Sequence, residues 1–87
     1  MIDQIFPETL KILSDLIKFK TVSGASNLEL IKYCEKKLDK VGAKSSKTFN
    51  KSDSQANLFS TINGKDSSNS KGIILSGHTD VVPAITK

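Results

Sequence analysis

Apolar and polar positions alternate with two different periods along this chain, and the change of period divides it into elements. From Phe6, apolar residues recur at Leu10, Leu13 and Ile17, with Ile12, Leu16 and Phe19 widening the stripe. That spacing predicts an amphipathic helix, with Lys11, Asp15 and Lys18 on its polar side. Pro7-Glu8-Thr9 is the expected opening, because proline is tolerated in a first turn and Glu8 suits the positive end of the helix dipole. The helix should fade near Lys20, where Thr21-Val22-Ser23-Gly24 turns the chain. Ser26-Asn27-Leu28-Glu29 then reads as a capping box, a hydroxyl followed three residues later by a glutamate. Leu30, Ile31, Cys34, Leu38 and Val41 mark the buried face of a second helix, and Gly42 stands where a left-handed C-cap is expected.

Beyond Gly42 the period falls towards two. The pattern is weak from Ala43 to Phe49, which predicts an edge strand, and Asn50 to Ser54 is a polar loop. Ala56 to Ile62 makes a better strand, ending at the turn-forming pair Asn63-Gly64. Lys65-Asp66-Ser67-Ser68-Asn69-Ser70 continues as a long polar stretch, the expected solvated tip of a hairpin. Ile73, Ile74 and Leu75 follow as a short apolar run, the pattern of a third strand buried on both faces. Two helices followed by a mixed sheet place the chain in the α/β class.

Composition narrows the function classes. The chain has 87 residues, enough for one small domain with a modest core; 37% are hydrophobic and 25% charged. No apolar run approaches the ~20 residues needed to span a bilayer. The N-terminus lacks a basic stretch followed by an apolar one, so no secretory signal is expected. Cys34 is the single cysteine, which excludes an internal disulfide and suits a reducing cytoplasm. The net charge of +4 comes from thirteen basic residues, all lysine, set against nine acids. They are spread along the chain, whereas a nucleic-acid surface favours clustered arginine. Neither a membrane nor a nucleic acid is an expected partner.

The candidate chemistry sits where the third apolar run breaks at Ser76-Gly77, with His78 and Asp80 directly after it. In α/β sheets, ligands gather beyond the carboxyl ends of strands. If the backbone stays extended, side chains two apart share a face, so Asp80 can aim or polarise the His78 imidazole. Taken alone, a histidine after a strand is more often a surface residue than a ligand, and an aspartate there more often a cap. His78 is also the only histidine, while catalytic zinc usually takes three protein ligands. Cys34, on the buried face of a helix, reads as a small hydrophobe.

Taken whole, Ser76-Gly77-His78-Thr79-Asp80-Val81-Val82-Pro83 resembles the first metal-binding motif of the M20 family of zinc-dependent amidohydrolases and peptidases. The resemblance implies that His78 is a metal ligand and that Asp80 is the catalytic aspartate that orients it. This agrees with the general habit of a ligating histidine to give its second N–H to a carboxylate. Thr21-Val22-Ser23-Gly24, Ser26 to Ile31 and Ala56-Asn57-Leu58 are similar to the N-terminal region of the acetylornithine deacetylase branch. Succinyl-diaminopimelate desuccinylases carry a nearly identical motif. As bare sequence, the first two of these segments are a turn and a helix start.

The resemblance implies the opening of a phosphorylase/hydrolase-like catalytic domain, with residues 1–87 as its N-terminal, truncated part and the lid domain absent. It implies hydrolysis of N2-acetyl-L-ornithine to L-ornithine and acetate in arginine biosynthesis, with two zinc ions, or cobalt, as cofactor. The substrate would be a small N-acylated amino acid, and the full-length enzyme a cytoplasmic homodimer. The remaining ligands and the general base would lie beyond Lys87, so the 87 residues alone should be inactive. Ala84-Ile85-Thr86-Lys87 departs from the family, which continues with an aspartate- and glycine-bearing loop and a tryptophan. Three readings stand: the deacetylase, a sibling enzyme of the family (desuccinylase, aminoacylase or dipeptidase), and a non-catalytic α/β module.

Overall fold

The computed structural model describes residues 2–64 and 72–83. Two helices, α1 (Ile2–Lys18) and α2 (Leu28–Asp39), precede two strands, β1 (Lys44–Phe49) and β2 (Ala56–Thr61). The expected order of helix, helix, strand, strand is present. The strands pair antiparallel from Lys44↔Thr61 to Phe49↔Ala56. No helix among the described residues is long and apolar enough to cross a membrane.

The core lies between α2 and the hairpin. Leu30 and Ile31 on α2 are 5% and 4% exposed, and Ala43 and Ala56 are also buried. The strand register sets Ser45, Lys47 and Phe49 opposite Ser60, Leu58 and Ala56, all on one face of the ribbon. That face turns to α2, because Lys47 Nζ reaches Glu35 Oε1 at 3.1 Å and Ala56 is buried. Ser45 and Ser60 share a 2.6 Å hydroxyl–hydroxyl bond on the same face. Polar residues of β1 on this face, Ser45 and Lys47, explain why its period-two signal is faint. At Asn50 the turn is closed by a side chain: Oδ1 accepts the backbone N–H groups of Ser54 (2.9 Å) and Gln55 (3.1 Å).

The end of α2 follows the sequence closely. Gly42 adopts φ +83°, its N–H donates to Asp39 O, and the Ala43 N–H donates to Leu38 O, both at 3.1 Å. These paired bonds are the Schellman arrangement, for which glycine is favoured because a Cβ disfavours positive φ. Val41, expected on the buried face, is exposed, since it lies in the turn where the helix has already unwound.

Several expectations are corrected. The first helix begins at Ile2, and Pro7 lies inside it. Pro7 falls in the second turn, where it removes the donor to the Asp3 carbonyl on an exposed stretch of the helix close to its start. Asn27, not Ser26, precedes α2, and its side chain makes no cap bond. Ser26 Oγ accepts only a long 3.4 Å bond from the Leu28 N–H.

The apolar stripe of α1 (Phe6, Leu10, Leu13 and Ile17) is at least half exposed rather than packed. The half-buried face of α1 instead carries Ile12, Asp15 and Leu16, and there the Tyr33 hydroxyl donates to Asp15 Oδ2 at 2.8 Å. The Phe19 ring, just past α1, meets the Tyr33 ring at 5.6 Å.

Ile73–Leu75 forms no strand; the three residues are 84–92% exposed. A strand needs a ladder partner, and among the described residues β1 and β2 pair only with each other. Among the described residues the sheet is therefore antiparallel and two-stranded, not mixed. Outside the sheet, Val22 and Val81 form an isolated parallel bridge. The expected polar hairpin tip, Lys65–Ser70, lies outside the described residues. The radius of gyration is 15.5 Å, against about 12 Å for a compact chain of this length.

Candidate functional site

His78 and Asp80 come together as their spacing predicts. His78 Nδ1 lies 2.9 Å from Asp80 Oδ1 and 2.9 Å from the Asp80 carbonyl oxygen. A carbonyl oxygen and a carboxylate at neutral pH can only accept, so Nδ1 must carry the proton of this bifurcated bond. In the neutral ring Nε2 is then left with its lone pair free. The His78 side chain is 84% exposed, so that nitrogen can reach a ligand.

What holds the pair is a clip between residues 21–27 and 79–81. The Val81 N–H donates to Thr21 O and the Ser23 N–H donates to Val81 O, both at 2.9 Å. That is the hydrogen-bond pattern of a single parallel bridge. Thr21 is buried, and its hydroxyl donates to Thr79 O at 2.6 Å. Ser23 Oγ donates to Asp80 Oδ2 at 2.9 Å, with a longer 3.4 Å approach to Val81 O. The Ala25 N–H closes a tight turn onto Val22 O at 2.8 Å, with Gly24 third in that turn at φ +92°. Positive φ at this position, with Ser23 not at positive φ, makes this a type II turn and favours glycine. Ser23 is thus the second residue of a turn whose backbone is fixed.

Asn27 ties the clip to the hairpin. Its Oδ1 accepts the Ala56 N–H and its Nδ2 donates to Ala56 O, both at 2.9 Å, so the amide imitates a neighbouring strand. Nδ2 also reaches Thr79 Oγ1 at 3.3 Å. One side chain therefore joins the start of α2, the first residue of β2 and the His-Thr-Asp segment. Using the amide this way leaves none of it to cap α2.

Electrostatics follow the geometry. The hydrogen bond from Ser23, then the one from His78, holds the Asp80 carboxyl below its ordinary value. Both bonds favour the ionised form. Cys34 is half-buried, and burial pushes its thiol up. That fits a packing role better than a nucleophile.

His78 and Asp80 line an open cleft of about 930 Å³ between α2, the hairpin and the Leu75–Asp80 segment. Asn27, Ile31, Cys34 and Phe49 form part of its other walls. The cleft separates β2 from the apolar run that was expected to pair in the sheet.

The donor set fits one position of a metal centre. A solvent-facing imidazole nitrogen backed by a carboxylate on the opposite nitrogen is the usual environment of a ligating histidine. Among the described residues, no group of three or more His, Cys, Asp or Glu side chains converges to hold a metal ion. Thr21, Ser23 and Asn27 are the site residues that sequence reasoning missed. They stood in view as a turn and a helix start, but nothing in one sequence signals that Val22 pairs with Val81. Comparisons with protein-family models, curated proteins and solved structures return no match to this chain.

Proposed function

We propose that this chain contributes a ligand-bearing part of the metal centre of an M20-like amidohydrolase. The preferred substrate is N2-acetyl-L-ornithine, cleaved to L-ornithine and acetate. The observation that carries the reading is the doubly accepted Nδ1 proton of His78, which leaves Nε2 as a free, exposed donor to a cation. His78 would hold one metal through Nε2, and Asp80 would keep the ring in the required tautomer. Bound zinc or cobalt supplies Lewis-acid polarisation of the scissile amide carbonyl. The other ligands and the general base are assigned to groups outside the described residues.

The 930 Å³ cleft beside His78 is large enough for a small N-acylated amino acid. The choice of the acetylornithine branch rests on the Thr21–Gly24, Ser26–Ile31 and Ala56–Leu58 segments. With that activity goes a cytoplasmic location, supported by the single unpaired Cys34, and a homodimeric full-length enzyme.

The test is made in an active enzyme that contains this chain. His78→Ala should remove most ornithine release and empty one metal position. Full metal content and near-normal turnover in that variant would end the assignment.

A further inference from the structure

We propose that Ser23 is a positioning residue that sets the tautomer and aim of His78 by holding the far oxygen of Asp80. The bonds form a relay: Ser23 Oγ donates to Asp80 Oδ2 at 2.9 Å, and Asp80 Oδ1 accepts from His78 Nδ1 at 2.9 Å. A carboxylate held at one oxygen only can turn about its last torsion, which is soft for aspartate. Pinning Oδ2 removes that freedom and keeps Oδ1 directed at the ring.

Neither His78 nor Asp80 is buried enough to be fixed by packing; their side chains are 84% and 58% exposed. The restraint must therefore come from hydrogen bonds. Ser23 suits the task because its own backbone is fixed twice, by the bond from its N–H to Val81 O and by the type II turn through Gly24. The hydroxyl is delivered by a rigid frame on a segment some 55 residues away in sequence, which is how supporting groups gain precision.

The consequence for the site concerns the lone pair. An imidazole in water favours the proton on Nε2, which would block that nitrogen as a ligand. The Ser23–Asp80 pair opposes this by stabilising the Nδ1–H form. Ser23 touches neither a cation nor a substrate in this scheme; it acts through Asp80. The proposal deepens the metal-ligand reading, but the tautomer can be measured with no metal present.

The experiment is nitrogen-15 NMR of the His78 ring in the 87-residue chain at alkaline pH, where imidazole is neutral. The wild type should show Nδ1 protonated and Nε2 bare. Ser23→Ala should lower the ratio of the Nδ1–H to the Nε2–H form by about three- to tenfold, the worth of one hydrogen bond. Ser23→Thr, which keeps the hydroxyl, should restore the wild-type ratio. If Ser23→Ala disturbs the fold, judged by the amide shifts of α2 and the hairpin, Ser23→Cys serves instead, being close in size and a weak donor.

A purely structural role would move the amides near Val81 and leave the ring nitrogens as they are. Ring shifts unchanged in Ser23→Ala, while Asp80→Ala changes them, would overturn the proposal. Adding zinc chloride separates the two claims. If the ring responds to Ser23→Ala and zinc leaves it untouched, the positioning role stands and the metal reading fails.

Discussion

The two amphipathic helices of this protein meet different fates. α2 buries Leu30 and Ile31 against the hairpin, whereas α1 carries a longer and more regular stripe that stays exposed. Hydrophobic periodicity is clear in both and clearer in α1, so periodicity alone does not decide burial. A second surface of suitable shape does, and the hairpin supplies one only to α2. The same contrast recurs inside the His78 motif. Ile73–Leu75 is apolar and uncovered, while Thr79–Val81 is polar or half-exposed and firmly held. Hydrogen bonds from residues 21–27, rather than membership of a sheet, keep the candidate site in place.

Truncation on the two helices should expose this difference most strongly. Ile31→Ala should cost about 2–5 kcal/mol, the usual range for emptying a buried aliphatic site. Leu13→Ala on α1 should change stability by no more than about 0.5 kcal/mol, as exposed substitutions do. Urea unfolding followed by circular dichroism measures both; equal costs would erase the distinction between the helices.

A smaller effect is expected at Asn27. Asn27→Ala strands the N–H and C=O of Ala56, a buried residue, and should cost about 1–3 kcal/mol. Asn27→Asp keeps the acceptor and loses the donors, so it should fall between wild type and alanine. The amide resonances of Thr79 and Ala56 should move together in either variant. Movement of one without the other would show that the clip and the hairpin are independent.

The mildest effect concerns the polar seam between α1 and α2. Burial, with the hydrogen bond to Asp15 second, pushes the Tyr33 phenol up to about 12 from its ordinary 10. Folding therefore favours the protonated phenol. The stabilisation is complete below pH 10 and is lost as pH rises towards 12, because the unfolded chain ionises first. Asp15 works in the opposite direction: chiefly through the Tyr33 bond, its carboxyl is held below the ordinary value, so its contribution disappears on acidification. Tyr33→Phe should flatten the alkaline limb of a stability–pH curve, and an unaltered limb would remove the seam from the account.

Much of the fold was legible because its signals are local. Gly42, the Asn50–Ser54 loop and the alternation of Ala56 to Thr61 each act within a few residues. The pairing of His78 with Asp80 was legible for the same reason, being set by a spacing of two. The start of the first helix was misjudged because Pro7 reads as an opener although the second turn tolerates it. Ser26-Asn27-Leu28-Glu29 misled because Asn27 forms long-range bonds in place of a local cap. The third strand failed because an apolar run states only that a chain can be buried, not that a neighbour is there to bury it. Thr21, Ser23 and Asn27 could not be assigned because their partners lie about 30 to 60 residues away, and such pairings leave no periodic trace.

The central claim is that the free Nε2 of His78, braced by Asp80, faces a cation, and a zinc titration of the 87-residue chain followed at the His78 ring tests it directly. Weak, saturable binding is expected that shifts Nε2, disappears in His78→Ala and is weakened about 10- to 100-fold in Asp80→Ala. Zinc that leaves the ring unperturbed, or that binds His78→Ala as well as the wild type, would contradict it.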